Sequence, residues 1–181
     1  NPWADYFNRL TAKAARQTVS VLTQRPLPRR VRIIEIGAGT GGTTTFVLEA
    51  LHAHKAEVEY LYTDLSQGFV QLGKDQFGST GFEMVFSRLD IEADPINFAA
   101  SADLVIATNV LHATRNIGAT LGNVRSLLKN DGLLLLNELT HSGAFATVTF
   151  GLLDGWWCFE DKDQRLPHSP ILSAKSWQAA L

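Results

Sequence analysis

The segment Ile33-Ile34-Glu35-Ile36-Gly37-Ala38-Gly39-Thr40-Gly41-Gly42 constrains the fold more than any other part of this chain. The apolar run Val31–Ile36 reads as a strand with both faces buried, the environment of a parallel sheet covered by helices. Gly37, Gly39 and Gly41 fall where the chain must turn sharply from that strand into a helix. Lacking a Cβ, they permit positive φ and let a nucleotide-like ligand approach bare backbone. The glycines also fit G-x-G-x-x-G through Gly42, so by themselves they do not separate a nicotinamide cofactor from S-adenosylmethionine.

The same alternation continues along the chain. Residues 58–63, 82–89, 104–108 and 133–137 read as strands, with helices over 43–54, 67–77 and 117–129 and a shorter one near 95–100. This predicts an α/β fold: an open, doubly wound, mainly parallel sheet with helices on both faces, Rossmann-like in its core. Residues 3–24 carry Trp3, Phe7, Leu10 and Ala14 at helical spacing, and Pro26 and Pro28 then break the helix. The expected division is therefore an N-terminal helical segment and linker over 1–30 and a core over 31–181. After the fifth strand, 145–157 is apolar almost throughout, 160–167 reads as a charged loop, and a last helix starts near Ser173. The chain opens on Asn1-Pro2 and ends inside a helix-like run without a capping residue, which reads as a piece of a longer polypeptide, short of strands at its C-terminal end.

Charge and cysteine content narrow the partners. A formal charge of -2 supplies no basic footprint for nucleic acid, and no apolar run approaches the roughly 18 residues of a membrane span. With Cys158 as the single cysteine, an internal disulfide is excluded, and the cytoplasm is the default compartment. His52, His54, His141 and His168 have no partners at metal-ligand spacing and read as solvated surface, so no metal is expected.

Acids flank the glycines. Glu35, on a strand read as buried, needs a partner for its charge, either a cationic amino group on the ligand or a core arginine. Asp64 ends the second strand and can accept from ribose hydroxyls or cap the helix beginning near Ser66. Asp90 ends the third and can take an exocyclic amine of adenine, with Leu65 and Ile91 against the ring, or close a turn before Pro95. Three acids ending successive strands fit a sulfonium cofactor better than a pyrophosphate. Asp64 also lies about 27 residues after Gly37, beyond the offset of about 20 usual for a ribose-binding acid in nicotinamide enzymes. Asn109 is a donor to cofactor or substrate, or a turn residue, and His112 brings a titratable group to the same edge.

These residues resemble the C-methyltransferase domains of polyketide synthases, a branch of the class I S-adenosylmethionine-dependent methyltransferases. The resemblance rests on Glu35-Ile36-Gly37-Ala38-Gly39-Thr40-Gly41-Gly42-Thr43-Thr44, Tyr62-Thr63-Asp64-Leu65-Ser66, Leu89-Asp90-Ile91-Glu92, Asn109-Val110-Leu111-His112-Ala113-Thr114 and Phe150-Gly151-Leu152-Leu153-Asp154-Gly155-Trp156-Trp157. It implies methyl transfer from S-adenosylmethionine to the α-carbon of a β-ketoacyl thioester on an acyl carrier protein, within a longer synthase chain. The family's catalytic histidine and glutamate correspond to His112 and Glu138. Glu35, Gly37, Ala38, Gly39, Asp64, Leu65, Asp90, Ile91 and Asn109 are the expected cofactor contacts. Trp156 and Trp157 either wall an acyl passage or belong to the core. The family usually carries a larger lid before its core and more chain after the last helix. The competing readings are a non-catalytic, methyltransferase-like structural domain of a megasynthase and a nicotinamide oxidoreductase; the latter has no use for Glu35 beside the glycines.

Overall fold

A computed structural model describes residues 2–24 and 30–181, apart from the side chain of Phe145. The strands β1 (Val31–Ile36), β2 (Val58–Asp64), β3 (Glu83–Arg88), β4 (Ala102–Thr108) and β5 (Leu128–Asn137) form one sheet in the order β3-β2-β1-β4-β5. Every pairing is parallel. Alternate residues of the central strands enter opposite layers, as the two-residue period of a strand dictates. Ile33, Tyr60, Leu104 and Ile106 pack with α1 (Pro2–Thr23), α2 (Gly42–Ala50) and the end of α3 (Gln67–Phe77). Ile34, Leu61, Val105 and Ala107 pack with α4 (Ile117–Leu127) and with Trp177 of α6 (Ala174–Ala180).

The strand order positions the site. From β1 the chain winds outward to β2 and β3, then crosses back to lay β4 on the other side of β1. Because all strands run parallel, their carboxyl ends share one edge, and the loops after β1 and β4 part there, the usual place for a ligand in such sheets.

Several boundaries differ from the periodicity reading. The helix expected over 43–54 stops at Ala50, and a separate 3-10 turn, His52–His54, follows. His54 is not a free surface residue: its ring nitrogens meet Ser20 Oγ of α1 at 3.1 Å and the Glu57 carboxylate at 2.7 Å. The helix near 95–100 is only a 3-10 turn, Ile96–Phe98. Helix α4 ends at Leu127, and β5 begins at Leu128 rather than 133, because the turn-forming Lys129-Asn130-Asp131-Gly132 is absorbed as an irregularity in a continuing strand: Leu128 pairs with Ala102 and Leu133 with Leu104. The proline linker expected over 24–30 lies, for residues 25–29, outside the described residues. Helix α1 is packed onto the sheet layers, with Thr43 Oγ1 of α2 donating to Asn8 Oδ1 at 3.0 Å in a buried contact. The apolar stretch after β5 forms α5 (Ala144–Phe150) and a 3-10 turn, Asp154–Trp157. Among the described residues no helix is long and apolar enough to cross a membrane, and no three metal-ligating side chains converge.

Candidate active site

The glycine turn after β1 takes the conformation its sequence permits. Gly37, Gly39 and Gly41 have φ of +62°, +59° and +77°. A Cβ would overlap Val110 at Gly37 and the Phe77 ring at Gly41, whereas at Gly39 it would meet only Gly37 O, at an ordinary contact distance of 4.0 Å. The turn is held from β2: Ala38 N–H donates to Thr63 O at 2.9 Å, Tyr62 OH donates to Gly39 O at 2.7 Å, and Gly39 N–H donates to Asp64 Oδ2 at 2.9 Å. Burial, reinforced by the charges of Glu35 and Asp64, pushes the Tyr62 phenol up to about 12, so it stays a donor at any physiological pH. Asp64 Oδ1 accepts from Ser66 N–H at 2.8 Å at the start of α3. Asp64 therefore ties the glycine turn to the next helix, and a carboxylate bonded once at each oxygen still has lone pairs for a ligand.

Gly37, Asp64, Leu65, Asp90 and Ile91, from the ends of three strands, line one cleft of about 150 Å³ together with Ile36, Leu89, Glu92 and Val110. Its ionisable groups are all acids, and its remaining walls are mainly aliphatic. That donor set suits a cationic, adenosine-bearing group and offers no counter-charge to a pyrophosphate. Ala38 and Gly39 belong to the adjoining turn but do not line the cleft.

Two expected cofactor contacts stand elsewhere. Glu35 is 2% exposed, and its Oε2 accepts from Thr44 Oγ1 at 2.6 Å and Tyr60 OH at 2.7 Å. The partners of this buried oxygen are two hydroxyls of α2 and β2 rather than an arginine. Burial still dominates those hydrogen bonds and raises its pKa above the ordinary carboxylate value. Asn109 lines a different and larger cavity. At φ +50° it turns the chain off β4, donates its N–H to Asn137 O at 2.8 Å and accepts Leu139 N–H on Oδ1 at 3.0 Å. It brackets Glu138 on both sides.

That bracket sets up the pair read from sequence as catalytic. The Glu138 side chain is fully buried; Oε1 accepts the N–H groups of Val110 and Leu111 at 2.9 and 2.7 Å, and Oε2 meets His112 Nδ1 at 2.5 Å. An ionised carboxylate only accepts, so Nδ1 carries the proton and Nε2 the lone pair. Nε2 has no hydrogen-bond partner among the described residues, and the ring lines a chamber of about 680 Å³. Trp3, Phe7 and Asn8 of α1, Phe150 and Trp156 beyond β5, and Leu139 wall this chamber. Trp156 meets the His112 ring edge-on at 5.9 Å and stacks on Phe150; buried Trp156 serves both core and chamber, whereas Trp157 is half-exposed and does not line it. Ala113, next to His112, lines both the chamber and the acidic cleft, so the His112 ring and the cleft meet on one loop.

Residues 34–134 match a family described as methyltransferase domain, a span that includes the glycine turn, the acidic cleft and His112. The chain belongs to the methyltransferase domain family. Among related proteins, polyketide synthase PksM of Bacillus subtilis is 41% identical over 185 residues, which is the whole of this chain and 4% of that protein. The DszA carbon methyltransferase superposes with a TM-score of 0.93 at 42% identity, over 99% of this chain and 47% of the other. The trans-methyltransferase CalH, solved in complex with SAH, gives 0.77 at 35% identity, over 99% and 50%. This methyltransferase domain thus spans about half the length of these solved structures and a small fraction of the synthase.

One part of the methyltransferase site was invisible in the sequence. The segment read as a charged loop buries Arg165, whose side chain has no exposure. Its guanidinium donates to His112 O and Pro170 O, each at 2.7 Å, to Thr114 O at 3.0 Å, and to both oxygens of Asp161 at 2.6 and 3.0 Å. Burial alone would raise the Asp161 carboxyl; the hydrogen bonds from Arg165 and Ile117 N–H and the Arg165 charge outweigh it and hold it below its ordinary value. His141 is exposed, as expected, and lies at the edge of the chamber. Only the i, i+4 spacing of Asp161 and Arg165 hinted at the ion pair, and nothing local pointed to the carbonyls it serves.

Proposed function

We propose that this domain methylates the α-carbon of a β-ketoacyl thioester presented by an acyl carrier protein, with S-adenosylmethionine as methyl donor, as one domain of a longer cytoplasmic polyketide synthase chain. The observation that carries this reading is the His112–Glu138 pair, with the free Nε2 in an apolar chamber joined through Ala113 to an acid-lined cleft. The likeness to DszA, a carbon methyltransferase, and to CalH, solved with SAH, supports it. Gly37, Asp64, Leu65, Asp90 and Ile91 would hold the donor, and bound there it supplies an electrophilic methyl group to a nucleophilic carbon.

The chain's own task is to create that carbon nucleophile. An α-hydrogen flanked by a ketone and a thioester is acidic, yet its removal needs a base within hydrogen-bond reach. His112 Nε2 accepts the proton, and the α-carbon retains the electron pair. Glu138 fixes the ring tautomer and balances the imidazolium that forms. Because Glu138 is itself held by two backbone N–H groups, it holds the ring without reorganising during the reaction.

The test is a pair of measurements on His112→Ala. S-adenosylhomocysteine should bind with parental affinity by calorimetry, and methylation of a β-ketoacyl carrier thioester, followed by mass spectrometry, should fall about 10²–10⁴-fold, the usual worth of a general base. Methylation at the parental rate by the variant would overturn the assignment of the base. A parent that leaves the β-ketoacyl thioester unmodified, while binding the ligand, would overturn the substrate class.

A further inference from the structure

The His112 loop is held from outside by a strap of residues 159–166. Besides the bonds that Arg165 makes to His112 O and Thr114 O, Asp161 Oδ2 accepts Ile117 N–H at 2.7 Å and Glu160 N–H donates to Arg115 O at 2.8 Å. Across the loop, Arg115 N–H donates to Glu92 Oε1 at 2.7 Å, and Glu92 lines the acidic cleft. The loop is too short to form a helix that would satisfy its own carbonyls, and the 3-10 turn Leu111–Ala113 leaves those of His112 and Thr114 pointing outward. A buried carbonyl needs a donor, and one planar guanidinium reaches both, while its fork is fixed by Asp161.

We propose that Arg165 is a positioning residue for the reaction: by gripping the carbonyls on either side of Ala113 it sets the orientation of the His112 ring on Glu138 and so the aim of Nε2. This rests on the reading of His112 as the base. Glu138 at Nδ1, the edge of Trp156 and the backbone that carries the ring define its position, and Arg165 acts on the backbone. Lysine in its place keeps the charge opposite Asp161 but cannot present a fork to two carbonyls.

The test uses Arg165→Lys in the full chain, with Asp161→Asn as the milder companion that leaves the arginine in place but loosens its fork. The first readout is the proton of the short His112 Nδ1–H···Glu138 hydrogen bond, observed by NMR as a far-downfield resonance, which needs no turnover. In Arg165→Lys that resonance should broaden or move upfield, with S-adenosylhomocysteine affinity retained. The second is kinetics: kcat should fall about 10²-fold, as for a reacting group misplaced by about 1 Å, with KM for the acyl thioester unchanged. Asp161→Asn should shift both readouts in the same direction by less. A folded Arg165→Lys that keeps the parental resonance and kcat overturns the proposal. If that variant fails to fold, Asp161→Asn decides, and parental values there overturn it equally. His112→Ala in the same assay keeps the two readings apart: if it methylates normally, the base is wrongly assigned, whereas a dead His112→Ala beside an unaffected Arg165→Lys sinks only the positioning role.

Discussion

At the scale of single residues, the chemistry depends on which group satisfies which. Glu138 accepts three N–H donors on two oxygens, and an amide in its place has one acceptor oxygen and turns an NH₂ toward the remaining donors. Glu138→Gln should therefore lower kcat about 10²–10⁴-fold and destabilise the chain by about 1–3 kcal/mol, read by single-turnover kinetics and a denaturant melt. Glu35 makes a pH prediction. Its pKa is raised from 4.5 by burial, against the opposing hydrogen bonds from Thr44 and Tyr60, so the folded chain binds this proton more tightly than the unfolded one. The resulting contribution to stability is complete below pH 4.5 and is lost as pH rises through the folded value. Glu35→Gln removes that titration: its melting temperature should gain on the parent's as pH goes from about 4 to about 8, and a constant difference would mean that Glu35 ionises normally in the fold. His112 and Glu138 were singled out through the family resemblance, His112 on the motif over 109–114 and Glu138 on its place at the end of the fifth strand. Arg165 was not, because a charged residue among charged neighbours looks solvated until the fold brings two orphan carbonyls to it.

At the scale of elements, the glycine turn shows how local conformation and packing combine. Three residues with positive φ between β1 and α2 follow from the glycines alone; which of them is intolerant of change depends on neighbours far along the chain. Gly39→Ala carries only the left-handed strain, about 1–2 kcal/mol, because its Cβ would meet only Gly37 O at an ordinary contact distance of 4.0 Å. Gly37→Ala adds an overlap with Val110 of the His112 loop and should cost about 1–3 kcal/mol more. Denaturant midpoints of the two variants check the order; equal losses would mean that Val110 moves aside freely. The start of β5 teaches a complementary lesson. Asn130-Asp131-Gly132 spells a turn, yet Leu128 already pairs with Ala102, because partner hydrogen bonds across a sheet outweigh local turn preference.

At the scale of the whole molecule, the parallel order β3-β2-β1-β4-β5 separates two functions along one edge: the acidic cleft after β1, β2 and β3, and the His112–Glu138 chamber after β4 and β5. A ligand bound in the cleft should stabilise the native state through linkage, by about 2.7 kcal/mol at a hundredfold excess over Kd. S-adenosylhomocysteine should thus raise the melting temperature and NAD should leave it unchanged, since among the described residues no cationic side chain lines the cleft to meet a pyrophosphate; the reverse pattern would reinstate a nicotinamide enzyme. Periodicity and glycine placement, which act over a few neighbouring residues, were enough by themselves to determine the doubly wound fold, the turn after β1 and the acids at the strand ends, whereas the candidate dyad came from the resemblance to polyketide synthase C-methyltransferase domains. Only the tertiary structure decided that Glu35 is satisfied by Thr44 and Tyr60, that Asn109 brackets Glu138 rather than lining the cleft, and that Arg165 reaches back to the His112 loop. Those outcomes depend on which buried polar groups meet across the sheet and its loops, and such pairings between distant segments leave no local pattern in the chain.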